Sequence, residues 1–196
     1  SDQVIIGRSV YQIKLLESMT VLLNNHPQDV TQEEFEKDLH LLPEWRQEKA
    51  LRFRFLLDRV LCTKAYLLLK QGLSSTFGIT GNPEFLYIGH EKPVLKDNKK
   101  HFSISHSGDY IVLGFSEHDC GIDIEKIKPR DYKKISERMN FKSNSLKEFY
   151  LNWTEYEAKY KLGLKSQSAY SFEIPDYMIT AVDGYKDEKY EVYYNI

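Results

Sequence analysis

An α+β fold is what this sequence predicts, and three observations carry the expectation. Apolar residues recur at helical spacing from Pro43 to Leu68, a period of two sets in at Phe102 and holds to Glu125, and helical spacing returns between Ser143 and Gly163. Blocks of helix and of antiparallel strand in one short chain are the pattern of α+β packing. The change of character near Lys99-Lys100 sets a soft boundary between an N-terminal part, residues 1–100, and a C-terminal part, residues 101–196.

The elements follow in order. The run from Val10 to Leu16 reads as a first strand, and Thr31 stands where it would cap a helix opening on Gln32-Glu33-Glu34. One long helix is expected next: Pro43 suits a first turn because its missing N–H is not needed there, and Trp45, Phe53, Leu56, Leu57, Val60, Leu61, Leu67 and Leu68 lead to a stop at Gly72. Gly78, Gly81 and Pro83 then punctuate short extended pieces such as Phe85 to Ile88. From Phe102 three antiparallel strands joined by tight turns are expected: Phe102 to Ser105, Tyr110 to Phe115 and Cys120 to Glu125, with Gly108-Asp109 and Glu117-His118-Asp119 between them. A helix from about Ser143 to Gly163 has Ser145 and Glu148 at capping-box spacing, and Tyr170 to Ile196 reads as strands turning at Asp183-Gly184.

Composition bounds the function. At 196 residues and 23.1 kDa the chain can bury a sizeable core without staples, and 14 Tyr and 10 Phe would not stay solvated in a disordered chain. Net charge −2 removes a global electrostatic case for nucleic acid or an anionic membrane. Cys62 and Cys120 stand far apart in no metal or redox spacing, which suits a reducing compartment. No apolar run is long enough to span a bilayer, and Ser1-Asp2-Gln3 opens no leader pattern, so a cytoplasmic protein is expected.

Three carboxylates carry the chemistry. Side chains alternate along a strand, so Asp123 and Glu125 stand together on the face opposite Ile122 and Ile124. On the second helix Leu146, Tyr150, Trp153 and Tyr160 form an apolar stripe at 3.6-residue spacing, with Glu157 near its centre. A carboxylate there needs a cation, either a metal or Lys161 one turn on; a plain i,i+4 pair on a solvated face, and two solvated strand acids, are the bland alternatives. Taken together, hard oxygen donors from one strand and one helix suit Mg²⁺, which keeps waters and is completed by substrate phosphates. Ser105-His106-Ser107, at a strand end before Gly108, supplies hydroxyls and an imidazole for a phosphate, or simply a polar hairpin.

These residues resemble a known family. Phe102-Ser-Ile-Ser-His-Ser107, then Gly121-Ile-Asp-Ile-Glu125, then Trp153-Thr-Glu-Tyr-Glu-Ala-Lys-Tyr-Lys161 are similar, in order and spacing, to the motif set of the 4′-phosphopantetheinyl transferases of the longer, surfactin-synthetase-activating (Sfp-like) type. Trp45 to Phe53 and Lys92-Pro93 add to the likeness. The resemblance implies transfer of the phosphopantetheine arm of coenzyme A to a serine of an apo acyl, peptidyl or aryl carrier protein, releasing adenosine 3′,5′-bisphosphate. It implies that Asp123, Glu125 and Glu157 hold Mg²⁺, or Mn²⁺ in its place, against the pyrophosphate. Glu157 would take the serine proton, directly or through water, and Lys161 would stabilise or protonate the leaving phosphate. His106 would contact the 3′-phosphate, with Ser105, Lys92, Pro93, Arg52, Arg59 and Lys161 as further coenzyme A contacts. The fold it implies is two similar subdomains, each a helix on a small antiparallel sheet, related by a pseudo-two-fold axis in an active monomer. Lys126, Lys128, Arg130, Lys133 and Lys134 are the basic residues offered to an acidic carrier surface, or an ordinary basic loop.

The likeness has departures. Tyr156 stands where the family has a lysine, and Leu61 stands where it has an arginine if Asp58 is the family's aspartate; Arg59 or Lys64 would then substitute. An impaired relative that only binds coenzyme A or a carrier protein is the alternative function. A hydrolase built on Ser105 or Ser107 lacks a Gly-x-Ser-x-Gly elbow, and zinc at His118 and Cys120 lacks further ligands.

Overall fold

A computed structural model describes residues 3–7, 10–15, 19–88, 92–96, 99–162 and 168–184. Leu16, Gly163 and residues 185–196, which the sequence reading placed at element ends, lie outside the described residues. The elements are β1 (Gln3–Gly7), β2 (Val10–Leu15), β3 (Met19–Asn25), α1 (Gln32–His40), α2 (Glu44–Leu51), α3 (Leu56–Phe77), β4 (Phe85–Ile88), β5 (Lys92–Leu95), β6 (His101–Ser107), β7 (Tyr110–Ser116), β8 (Cys120–Lys126), α4 (Tyr132–Met139), α5 (Leu146–Leu162), β9 (Ser168–Ile174) and β10 (Tyr177–Asp183). The α+β expectation holds.

Four layers result. A five-stranded antiparallel sheet, β1-β2-β3-β7-β6, carries α3 on one face and the three-stranded sheet β8-β10-β9 on the other, and α5 covers the far side of that second sheet. Strand alternation sorts the residues. Leu22, Ile111, Leu113 and Phe115 meet Leu68, Leu69 and Leu73 of α3, while Val21, Leu23 and Val112 meet Ile122, Ile124 and Ile179 between the sheets. Each such side chain, removed from water, contributes about 1.5–3 kcal/mol before the entropy of ordering it. β3 pairs with β7, so the five-stranded sheet draws on both sides of the boundary at residue 100.

Several expectations are corrected. The single long helix is two, α2 and α3, because a break over residues 52–55 lets α2 fold back and bury Ala50 against Val60 and Cys62. Tertiary packing outweighs helix propensity there. Gly72 does not stop the helix; it sits inside α3, where a Cβ would collide with the Phe115 ring. The stop is Gly78, at φ 67, in an αL cap with Gly78 N–H on Ser74 O, and Ile79 N–H also reaches Leu73 O.

β8 does not extend the sheet of β6 and β7. It pairs with β10 in a separate sheet. Within the run from Tyr170 the structure adds a hairpin turn at residues 175–176, with Asp176 at φ 67 and Pro175 presetting the turn's first central residue; β10 ends at Asp183, and the strand expected beyond Asp183-Gly184 lies outside the described residues. The apolar stripe of α5 runs through Phe149, Tyr150, Thr154, Ala158 and Leu162, and Tyr160 is exposed. Its middle is small because the helix lies close on β8: a Cβ at Gly121 would run into the carbonyl of Ala158. Thr154 and Thr180 meet hydroxyl to hydroxyl at 2.7 Å beside that contact. The caps follow the sequence: Thr31 and Glu34 close a capping box on α1, and Ser145 Oγ accepts from Glu148 N–H at 3.1 Å.

Gly121→Ala tests the close approach. Backbone cannot yield as a flexible side chain can, so we expect a stability loss of about 3 kcal/mol or more in a denaturant titration. A loss under about 0.5 kcal/mol would show that α5 does not sit where described.

Candidate active site

The site grows from a seam between the two sheets. β6 and β8 run side by side without backbone pairing; instead the hydroxyls of Ser103, Ser105 and Ser107 accept the N–H groups of Ile122, Ile124 and Lys126, at 3.0, 3.4 and 2.9 Å. The period-two serines of β6 thus meet the period-two amides of β8. A buried N–H must find an acceptor, and a hydroxyl on the neighbouring strand provides one.

Asp123 is held at that seam, buried at 5% exposure. Its Oδ1 accepts from Ser105 Oγ at 3.0 Å and from Lys161 Nζ at 3.2 Å, while Oδ2 is buried with no hydrogen-bond partner among the described residues. Lys161 also donates to Ile122 O at 2.8 Å and to Ile104 O at 3.4 Å, so its ammonium bridges both strands from α5. Burial raises the Asp123 carboxyl above its ordinary range, opposed chiefly by the charge of Lys161 and then by the Ser105 hydrogen bond.

Glu125 lies two residues on and half-buried. Burial raises its carboxyl, the charge of Asp123 raises it further, a hydrogen bond from Trp153 opposes, and the charge of Glu157 adds to the rise. Glu125 is therefore within electrostatic reach of both Asp123 and Glu157. Among the described residues no set of three or more His, Cys, Asp or Glu side chains is gathered as a ready metal cage. A hard divalent cation does not require one, since Mg²⁺ takes one or two carboxylates plus substrate oxygens and waters, and the bare buried Oδ2 of Asp123 fits that demand.

A cavity of about 320 Å³ opens beside the seam, lined on one side by Pro93, Phe102, Ile104, Ser105 and His106 and on the other by α2 and α3. Pro93, Ser105 and His106 of the predicted coenzyme A contacts line it; Lys92, Arg52, Arg59 and Lys161 do not. Lys92 Nζ is tied to Asp119 Oδ1 at 2.6 Å and Cys120 O at 2.9 Å, Arg52 is exposed at the end of α2, and Arg59 Nε donates to Phe53 O at 2.7 Å. Lys64 is paired with Asp38 at 2.8 Å. Leu61 and Asp58 both line the cavity.

Two cations were not singled out from the sequence. Arg46 and Lys49 line the cavity from α2; the Arg46 guanidinium lies over Tyr66 at 5.5 Å with its Nε buried and lacking a hydrogen-bond partner among the described residues, and Lys49 Nζ donates to Tyr87 Oη at 2.8 Å. Their i,i+3 spacing was a legible signal, since both then face one side of α2. Tyr156 is exposed and stacks with Tyr160, at 6.5 Å between ring centres. The basic set is contiguous: Lys126 ends β8, Lys128 and Arg130 follow it, and Lys133 and Lys134 stand exposed on α4, with Arg130 over the Phe149 ring. No helix among the described residues is long and apolar enough to cross a membrane.

The raised Glu125 has a measurable consequence. The folded chain binds that proton more tightly than the unfolded one, so the associated stability is complete below the ordinary glutamate pKa of about 4.3 and is lost as pH rises through the raised value. In EDTA, Glu125→Gln melts above the parent at pH 7, the gap closing as pH falls toward about 4. Equal melting temperatures at pH 7 would remove the electrostatic account.

Comparison with known proteins agrees with the motifs. No family model matches the sequence. The chain is 30% identical over 131 residues, 66% of its length, to the 4′-phosphopantetheinyl transferase psf-1 of Bacillus pumilus, and 30% identical over 102 residues to the 4′-phosphopantetheinyl transferase Sfp of Bacillus subtilis strain 168. A further Bacillus subtilis 4′-phosphopantetheinyl transferase is 45% identical over 76 residues. The matched region spans about half the length of the first two relatives, 51% and 46%. With three motifs in order and these similarities, the chain is similar to the Sfp-like 4′-phosphopantetheinyl transferases.

Proposed function

We propose that this chain transfers the 4′-phosphopantetheine of coenzyme A to the serine hydroxyl of an apo carrier protein, releasing adenosine 3′,5′-bisphosphate. One observation carries the reading: Ser105 both lines the cavity and hydrogen-bonds Asp123, so a nucleotide-sized cavity abuts a buried carboxylate. In the attack the serine oxygen bonds the phosphorus that carries the pantetheine arm, the pyrophosphate bridge breaks, and the bisphosphate leaves with the bond's electron pair.

Mg²⁺ or Mn²⁺, when bound by Asp123 and Glu125 with Glu157, supplies neutralisation of the phosphate charge. The protein's own groups do the rest. Glu157 accepts the serine proton, and Lys161, already at the Asp123 end of the seam, faces the developing negative charge. His106 with Arg46 and Lys49 binds the nucleotide phosphates from opposite walls, in place of the arginine that Leu61 replaces, and Pro93 closes a wall of the cavity. Lys92, Arg52 and Arg59 act at longer range.

The basic run from Lys126 through Lys128, Arg130, Lys133 and Lys134 receives the carrier protein by charge complementarity. The two helix-on-sheet halves correspond about a pseudo-two-fold axis, and the enzyme works as a cytoplasmic monomer.

Intact-mass spectrometry of an apo acyl carrier protein incubated with this chain, coenzyme A and Mg²⁺ tests the proposal. We expect a gain of one phosphopantetheine, abolished by EDTA and by Asp123→Ala. In the same assay Arg46→Ala should raise the KM for coenzyme A about tenfold, the loss of one charge-assisted hydrogen bond, and Lys133→Glu with Lys134→Glu should raise the KM for the carrier alone. No gain with several carriers while calorimetry registers coenzyme A binding would leave a binding module; no binding either would overturn the reading.

A further inference from the structure

On the reading of this chain as a metal-assisted transferase, we infer that Ser105 is a positioning residue for the metal-holding carboxylate: its hydroxyl pins Oδ1 of Asp123 so that Oδ2 is the oxygen presented to the cation. The hydrogen-bond inventory fixes the direction. The amide of Ile124 can only donate, so at 3.4 Å it occupies a lone pair of Ser105 Oγ and leaves the hydroxyl proton for another partner. An ionised carboxylate can only accept, and Asp123 Oδ1 lies 3.0 Å away.

The second partner of Oδ1, Lys161 Nζ at 3.2 Å, comes from α5 on the other side, so one carboxylate oxygen is held from two elements while the other carries no hydrogen bond among the described residues. A carboxylate held in this one-sided way cannot rotate without breaking two hydrogen bonds. Its free oxygen is therefore oriented before any cation arrives, which is the usual work of groups that bond a metal's ligands rather than the metal.

Ser105 also lines the cavity, so direct contact with coenzyme A is the competing role. Ser103 and Ser107 separate the two tasks of the serine row. They accept the amides of Ile122 and Lys126 as Ser105 accepts that of Ile124, so they share its part in tying β6 to β8 at positions one pleat removed from Asp123.

Mn²⁺ binding, followed by the electron paramagnetic resonance of the free ion in the absence of coenzyme A, is the test. Ser105→Ala should bind Mn²⁺ about tenfold more weakly than the parent, the usual cost of removing a group that orients a metal ligand. Ser103→Ala and Ser107→Ala should melt lower but bind Mn²⁺ within about twofold of the parent. Unchanged Mn²⁺ affinity in Ser105→Ala, or equal losses in all three variants, overturns the positioning role alone. A parent chain that binds no Mn²⁺ overturns the metal reading on which the role rests.

Discussion

Three serine hydroxyls standing in for a strand hold this molecule together where it matters. The free edge of β8 would be a liability in a buried place, because each of its amides must find an acceptor. Ser103, Ser105 and Ser107 satisfy Ile122, Ile124 and Lys126 through a side chain rather than a backbone carbonyl, and the extra reach keeps β8 out of the sheet of β6. Two sheets rather than one are the outcome, stacked face to face with Val21, Leu23, Val112, Ile122 and Ile124 between them. The register of that join also decides which residue of β8 meets which residue of the cavity wall, so packing and chemistry hang on the same three bonds.

Electrostatics at the seam oppose folding, which is a reason to read them as functional. Asp123 and Glu125 are both lifted by burial, and the neighbouring acids make matters worse for Glu125. Lys161 offsets part of this, but it divides its donors between Asp123 and the carbonyls of Ile104 and Ile122. A core replacing these groups with apolar side chains would be at least as stable. The stacked layers on either side, α3 over one sheet and α5 over the other, supply the burial that makes such an arrangement tolerable.

Much of this was legible in the sequence. Asp123 and Glu125 follow from strand alternation, Ser145 and Thr31 from cap chemistry, and the order of three motifs carries the resemblance to the 4′-phosphopantetheinyl transferases. What was not legible depended on contacts between distant segments. Gly72 reads as a helix stop until Phe115 is laid against it, and a helix stripe drawn through large residues misses Thr154 and Ala158, which are small because Gly121 brings α5 close. The break after α2 has no strong local signal, and only the fold back of α2 turns the shared face of Arg46 and Lys49 toward the cavity. The hairpin at Pro175-Asp176 was missed because the run from Tyr170 to Asp183 was read as one strand, and only the register of β9 on β10 reveals it.

Amide hydrogen exchange on the intact chain tests the central claim most directly. If serine hydroxyls close the edge of β8, the amides of Ile122, Ile124 and Lys126 exchange slowly, on the scale of the strand amides that β8 shares with β10. Exchange of these three at the rate of a solvent-exposed edge, with the β10 side still protected, would contradict the seam on which the account is built.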